Sequence, residues 1–171
     1  MKKTLILIAA ALLTATAFVA CTPKDGAATT DTKPSDTVAT ATGYTMNVNG
    51  KTLYIGLATD SLETLLGAPN KTFEADSCAI PGSRDVVYTY GGVDVYTYTD
   101  GGKEYVNSLN LRDDTVTTRE GIYIGSAEED VIAKYGEGEK NEVARVYVKD
   151  GVKLAVFITD GTVSGITYSK A

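Results

Sequence analysis

The chain has 171 residues, a formal net charge of −6 and no histidine, and 43% of its residues are hydrophobic and 22% charged. These fractions are ordinary for a small globular domain, whereas the negative charge argues against nucleic acid or an anionic lipid surface as a direct partner. Without histidine there are no Ser-His or Cys-His nucleophile pairs and no usual zinc or copper sites. We therefore expect no catalytic residue, no cofactor and no metal site, and we expect the protein not to be an enzyme.

The first 20 residues have the layout of a bacterial lipoprotein signal peptide. Lys2 and Lys3 precede an apolar run, and the four residues ending at Cys21 read Phe-Val-Ala-Cys, with Phe18 at a position where Leu is usual. This pattern predicts cleavage before Cys21 and lipidation of the Cys21 thiol by fatty acids such as palmitate. Two alternatives are cleavage without a lipid and a retained helix, although the run over residues 5–13 is shorter than the roughly 20 residues that cross a bilayer.

A lipidated Cys21 places the protein on the extracytoplasmic face of a bacterial cell membrane. Each buried methylene group contributes about 0.8 kcal/mol, so two or three acyl chains give stable anchoring. Residues 21–43 are rich in Thr and Ala and contain no aromatic residue, and such a composition buries too little apolar surface to offset its ordering entropy. We predict a flexible tether there, with a root-mean-square span of about 25 Å, followed by a folded domain over residues 44–171.

The folded part contains an internal duplication, with predicted repeats over residues 44–111 and 112–171. The segment that starts at Ile55-Gly56 in the first half matches the segment that starts at Ile124-Gly125 in the second. Each segment has apolar residues at helical spacing and ends at a glycine, which favours a short helix. Ser126 and Glu129 have the spacing of a capping box at the start of the second helix.

Behind each predicted helix, β-rich runs are separated by Gly-Gly or Asp-Gly pairs, which are strong hairpin signals. These pairs are Gly91-Gly92, Gly101-Gly102, Asp150-Gly151 and Asp160-Gly161. The predicted fold class is α+β, with two tandem repeats of a short helix followed by a three-stranded antiparallel meander and both helices packed on one sheet face. We expect an open sheet of six or eight strands; whether the two halves join edge to edge or pack separately stays open.

This pattern resembles known families of small envelope proteins. The residues that carry the resemblance are Ile55-Gly56, Leu62, Leu66-Gly67-Ala68-Pro69 and Tyr88-Thr89-Tyr90. They are similar to the SmpA/OmlA family of lipoproteins from the outer-membrane barrel assembly machine, and to the β-lactamase inhibitor protein and its relatives, which repeat the same unit in tandem. The second copy departs from the pattern, with Gly138 where the first has Pro69. The duplication favours the inhibitor-like arrangement, and the resemblance implies a binding module without catalysis.

Tyr96 and Tyr98 are the first candidates for partner binding. If Gly91-Gly92 forms a two-residue turn, Tyr88 and Tyr90 face one side of the sheet and Tyr96 and Tyr98 the other. Tyrosine is enriched at protein interfaces because it joins a large apolar area to a polar tip. The alternative is that these tyrosines are ordinary strand formers.

The second candidate is an insertion over residues 74–84, which the second copy lacks. Insertions on repeat scaffolds often carry function, although a tolerated surface loop is an equal alternative. Its candidate contact residues are Cys78, Ile80 and Arg84. If Cys21 is acylated, Cys78 has no disulfide partner in the chain, and we predict that Cys78 is buried and inert rather than reactive.

These observations predict a membrane-anchored extracytoplasmic lipoprotein that acts as a non-catalytic protein-binding or inhibitor-like module. The expected partners are the membrane, through Cys21, and an extracytoplasmic protein whose identity the sequence does not encode. The alternative function is a structural or assembly component of the cell envelope.

Overall fold

The computed structural model describes residues 41–78 and 82–171. The predicted signal peptide, the lipidation site Cys21, most of the tether and the candidate contact Ile80 lie outside the described residues. The elements in chain order are β1 (Met46–Val48), β2 (Lys51–Leu53), α1 (Asp60–Leu66), β3 (Lys71–Asp76), β4 (Arg84–Tyr90), β5 (Val93–Asp100), β6 (Lys103–Leu111), β7 (Thr117–Thr118), α2 (Glu128–Tyr135), β8 (Glu139–Lys140), β9 (Ala144–Lys149), β10 (Val152–Thr159) and β11 (Thr162–Lys170).

The predicted fold class is wrong, because the described chain is mostly β and is not built from repeats of a helix and a three-stranded meander. Eight strands form one antiparallel sheet in the order β3-β4-β5-β6-β11-β10-β9-β8. A separate three-stranded sheet has the order β2-β1-β7. The two helices have only 7 and 8 residues.

The strands that the sequence did not predict are short or polar. β3 reads Lys-Thr-Phe-Glu-Ala-Asp, with five of its six residues exposed. Phe73 is its one large apolar residue, which is too weak a signal to predict a strand. β7 and β8 have two residues each. Pairing with a neighbouring strand, and not local sequence preference, determines these elements.

The hairpin predictions are confirmed. The Gly91-Gly92 turn places Tyr90 opposite Val93, and Lys149 lies opposite Val152 across the Asp150-Gly151 turn. Asp150 and Gly151 both have positive φ, at 48° and 77°, as a type I′ turn requires. The turns therefore fix the register of these strands locally.

The core lies on the inner face of the eight-stranded sheet, which we define as the face that carries the buried residues. The inner-face residues that are at most 1% exposed include Val93, Val95, Val106, Leu109, Leu154, Val156, Ile166 and Tyr168. Leu62 of α1, Val131 of α2 and Met46 of β1 complete the same hydrophobic cluster. Each such side chain contributes about 1.5–3 kcal/mol by its burial. The opposite, outer face of the sheet contains the exposed residues.

The two helices end as predicted, but the second does not begin as predicted. Gly67 and Gly136 follow the last helical residues with φ of 81° and 82°. The capping box is absent, because the Ser126 hydroxyl accepts a hydrogen bond from the Tyr123 N–H at 3.0 Å and the N-cap residue is Ala127. A backbone bond from the Glu128 N–H to the carbonyl oxygen of residue 161, at 2.9 Å, holds the start of α2 instead.

Neither helix in the described part of the chain combines the length and the apolar character that a bilayer crossing requires.

Candidate functional site

One end of the outer sheet face carries a group of aromatic and apolar side chains. We call it the aromatic face and define it as Phe73, Val87, Tyr96, Tyr98 and Tyr105. Phe73 of β3 lies opposite Val87 of β4, which lies opposite Tyr96 of β5, so these three residues form a row across three strands. Phe73 is 58% exposed, Tyr96 36% and Tyr98 37%.

Alternation along β5 explains why the tyrosines face outward. Val93 and Val95 are fully buried on the inner face, and side chains that alternate with them point to the other side. Tyr98 lies directly opposite Tyr105 on β6, and their ring centroids are 5.8 Å apart. At this distance the two rings interact favourably.

The aromatic face is bordered by a hydrogen-bonded polar group. The Asp94 carboxylate accepts a hydrogen bond from the Thr89 hydroxyl at 2.7 Å and forms an ion pair with Arg112 at 3.1 Å. The neighbouring strand places Ser108 opposite Tyr96 and Ser169 opposite Ser108. The middle of the outer face is therefore polar, and it separates the aromatic face from the exposed apolar residues at the other end of the sheet.

Behind the aromatic face, on the inner side, the Glu104 carboxylate is held by three hydroxyl groups. Tyr88 donates to Glu104 Oε2 at 3.0 Å, Thr59 donates to the same oxygen at 3.2 Å, and Thr97 donates to Oε1. Burial, followed by the hydrogen bond to Glu104, raises the pKa of Tyr88 to about 12. These bonds connect β4, β5 and β6 to the segment before α1 and stiffen the platform that carries the tyrosines.

Glu104 and Tyr88 also line a cleft of about 240 Å³ next to α1. The other lining residues are Thr59, Asp60, Leu62, Glu63, Pro69 and Tyr90. This volume is below the roughly 300–1,000 Å³ of small-molecule pockets. Since the Glu104 oxygens already accept three hydrogen bonds, we assign this carboxylate a structural role.

A buried arginine forms a second polar cluster at the other end of the sheet. Arg145 of β9 is 6% exposed, and its guanidinium lies 2.8 Å from the Glu128 carboxylate and 3.0 Å from the Glu137 carboxylate. Hydrogen bonds from Lys140 and from Arg145 lower the pKa of Glu128. The cluster joins the start of α2 to β9, so the acidic first turn of α2 is used for packing.

The predicted insertion is part of a hairpin. Residues 74–76 belong to β3 and Arg84 begins β4, so these residues of the insertion are part of the paired β3–β4 strands and not of a free loop. Arg84 forms an ion pair with Glu74 at 2.8 Å. Cys78 is exposed, so the prediction that it is buried is wrong. Cys78 lies two residues after the end of β3, a strand whose residues are mostly exposed, so it has no core to enter.

The structure brings together some of the predicted contact residues. Tyr96 and Tyr98 share the outer face, as predicted from the turn. β4 and β5 are antiparallel and Val87 lies opposite Tyr96, so the start of β4 lies beside the end of β5. Arg84 and Tyr98 are therefore at nearly the same level along the two strands. The sequence prediction missed Phe73, since the polar residues around it gave no strand signal.

Within the described ranges, no group of three or more Cys, Asp or Glu side chains is arranged to hold a metal ion.

Comparisons with known proteins leave the family of this chain unassigned. No protein-family model matches the sequence, and no curated protein matches it. Among solved structures, the chain is similar to YjgB, a DUF4309 family protein from Bacillus subtilis, at 13% sequence identity and a TM-score of 0.39. The match covers 67% of this chain and 78% of YjgB.

Proposed function

We propose that this protein is a lipid-anchored extracytoplasmic lipoprotein that binds another protein through its aromatic face and performs no catalysis. The observation that carries the proposal is the outward row of Phe73 and Tyr96, with Tyr98 beside it, on a sheet whose other face is the core. Contiguous exposed apolar side chains with a polar border mark interaction sites. The border here is the ion pair of Asp94 with Arg112.

The shape and chemistry of the aromatic face favour a protein partner. Aromatic side chains that project from a rigid sheet form a broad platform, whereas small ligands need a concave, mostly apolar pocket. Tyrosine is among the residues that contribute most to binding energy in protein interfaces. Tyr96 and Tyr98 lose little conformational freedom on binding, because each has only two side-chain torsions and the strand already fixes its backbone.

The anchor is proposed from the sequence. Lipidation of Cys21 and the tether over residues 21–43 hold the folded domain near a membrane surface, with a root-mean-square tether span of about 25 Å, where an extracytoplasmic partner is presented. Replacing Cys21 with Ser should abolish incorporation of labelled palmitate and release the protein from the membrane fraction. Retention of the label in Cys21→Ser would contradict the assignment of this thiol.

The binding site is tested by crosslinking on intact cells followed by identification of the captured protein. The variant is the full chain with Tyr96→Ala and Tyr98→Ala, and the matched control is Val148→Ala with Phe157→Ala. Val148 is 63% exposed and Phe157 36%, and both lie on the outer face at the other end of the sheet. We expect the tyrosine variant to weaken capture about tenfold or more, which corresponds to about 1.4 kcal/mol, and the control variant to bind normally.

Three results contradict the proposal. If both variants bind equally well, the aromatic face is not the site. If the control variant alone loses binding, the site lies at the β9–β10 end. If no protein is captured while deletion of the gene impairs envelope integrity, the alternative of a structural envelope component replaces protein recognition.

A further inference from the structure

The eight-stranded sheet has one long open edge. β3 is the terminal strand, and all six of its residues pair with β4 on one side. No strand in the described part of the chain pairs with its other side. A terminal strand presents its unpaired N–H and C=O groups for pairing with another chain. At the opposite end of the sheet, β8 presents only two residues, so β3 is the longer of the two edges.

We propose that two copies of this chain associate through β3, strand against strand and antiparallel, about a twofold axis perpendicular to the sheet. In an antiparallel pair, residues directly opposite each other point to the same face. The twofold axis keeps both outer faces on one side, so an outer residue must meet an outer residue. Only registers centred on a single residue satisfy this condition.

Two registers place five residues of each strand opposite one another, and charge distinguishes them. A register centred on Glu74 puts this carboxylate directly opposite its copy, and like charges in that position are destabilising. A register centred on Phe73 puts the two phenyl rings opposite each other, Thr72 opposite Glu74, and Lys71 opposite Ala75. The second register avoids direct contact between like charges and pairs two aromatic rings. We therefore assign the axis to Phe73.

A second copy fits this edge because the strand is complementary to itself in that register. Phe73 is 58% exposed at the end of the row that runs through Val87 to Tyr96, and pairing covers it with the same row of the second copy. A five-residue strand pair is a small interface, so we expect weak, concentration-dependent association. The inference does not depend on the proposed function, although two copies anchored to one membrane surface associate more readily.

Disulfide trapping tests the register directly. The background is the full chain with Cys21→Ser and Cys78→Ser, so that an introduced cysteine is the only thiol. The protein is kept in detergent. In the Phe73→Cys variant the two Cα atoms on the axis are about 4.5–5.5 Å apart, which a disulfide can bridge. In the control, Ala75→Cys, the two cysteines are offset by four residues, about 13 Å, and cannot be bridged. We expect about tenfold more crosslinked dimer for Phe73→Cys than for Ala75→Cys.

Sedimentation equilibrium of the full chain tests the association with Phe73 present. The average mass should rise with concentration for the unmodified chain and for Val148→Glu, whose exposed side chain lies away from β3. It should stay at the monomer value for Phe73→Glu, which places two carboxylates on the axis. Equal crosslinking of the two cysteine variants, a mass that never exceeds the monomer, or a dimer that persists in Phe73→Glu would each overturn the proposal.

Discussion

Replacing Gly138 with Ala should destabilise the fold much more than the same substitution in a nearby turn. Gly138 has φ of 63°, and a Cβ added there would lie 2.5 Å from Tyr147 Cε1 and 2.8 Å from Tyr147 Cζ. The Tyr147 ring has little room to move, because it is 5% exposed, its centroid is 5.2 Å from that of Tyr135, and its hydroxyl donates to the Gly136 carbonyl at 3.0 Å.

Two terms determine the size of the effect. A residue with a Cβ in the left-handed conformation costs about 1–2 kcal/mol, and forcing extra volume into a packed site costs about 1–3 kcal/mol more. We therefore expect Gly138→Ala to lower the free energy of unfolding by about 2–5 kcal/mol. Gly151→Ala is the matched control, since Gly151 has φ of 77° but no atom of the described residues lies within 4 Å of a Cβ added there. It should cost about 1–2 kcal/mol, the conformational term alone.

Urea unfolding of the full chain measures both losses, provided that the slopes agree between variants. A third protein, Gly138→Ala combined with Tyr147→Ala, removes the ring that the new methyl group meets. Adding Gly138→Ala to Tyr147→Ala should then cost no more than Gly151→Ala. The reasoning fails if Gly138→Ala and Gly151→Ala cost the same, or if removal of the ring does not reduce the cost.

Two further predictions concern hydroxyl groups that are partly or fully buried. The raised pKa of Tyr88, about 12, means that the folded state favours the protonated phenol beside Glu104. The stabilisation that this preference gives is complete below the unfolded pKa of about 10 and is lost as the pH rises through 12. The free energy of unfolding, measured with urea, should therefore fall less steeply over that pH range for Tyr88→Phe than for the unmodified chain. An unchanged pH slope would refute this. The Thr45 hydroxyl is buried and has no hydrogen-bond partner among the described residues, so Thr45→Val should raise the free energy of unfolding by about 1 kcal/mol and the melting temperature with it. Thr118→Val should lower it, because the Thr118 hydroxyl accepts from the Ile122 N–H at 3.0 Å; the same sign for both substitutions would contradict the argument.

Part of the candidate site could be predicted from the local sequence. Tyr96 and Tyr98 alternate with the buried residues of β5, and the Gly91-Gly92 turn sets their phase. Both signals lie within a few residues of the tyrosines. Phe73 belongs to the same surface but lies on a mostly polar strand, so only its pairing with β4 reveals it.

The sequence alone determined the features that depend on neighbouring residues. The positive φ of Asp150 and Gly151 and the glycines that end both helices follow from local steric preferences. The tertiary structure decided the features that depend on distant residues. The two halves join in one sheet because β6 pairs with β11, with Ser108 opposite Ser169. The start of α2 is held by a bond from the Glu128 N–H to the carbonyl oxygen of residue 161, which no local pattern indicates. A single sequence encodes local torsion preferences directly, so the turns were predicted correctly. Long-range pairing depends on how the whole chain buries its apolar surface, so the fold class was mispredicted.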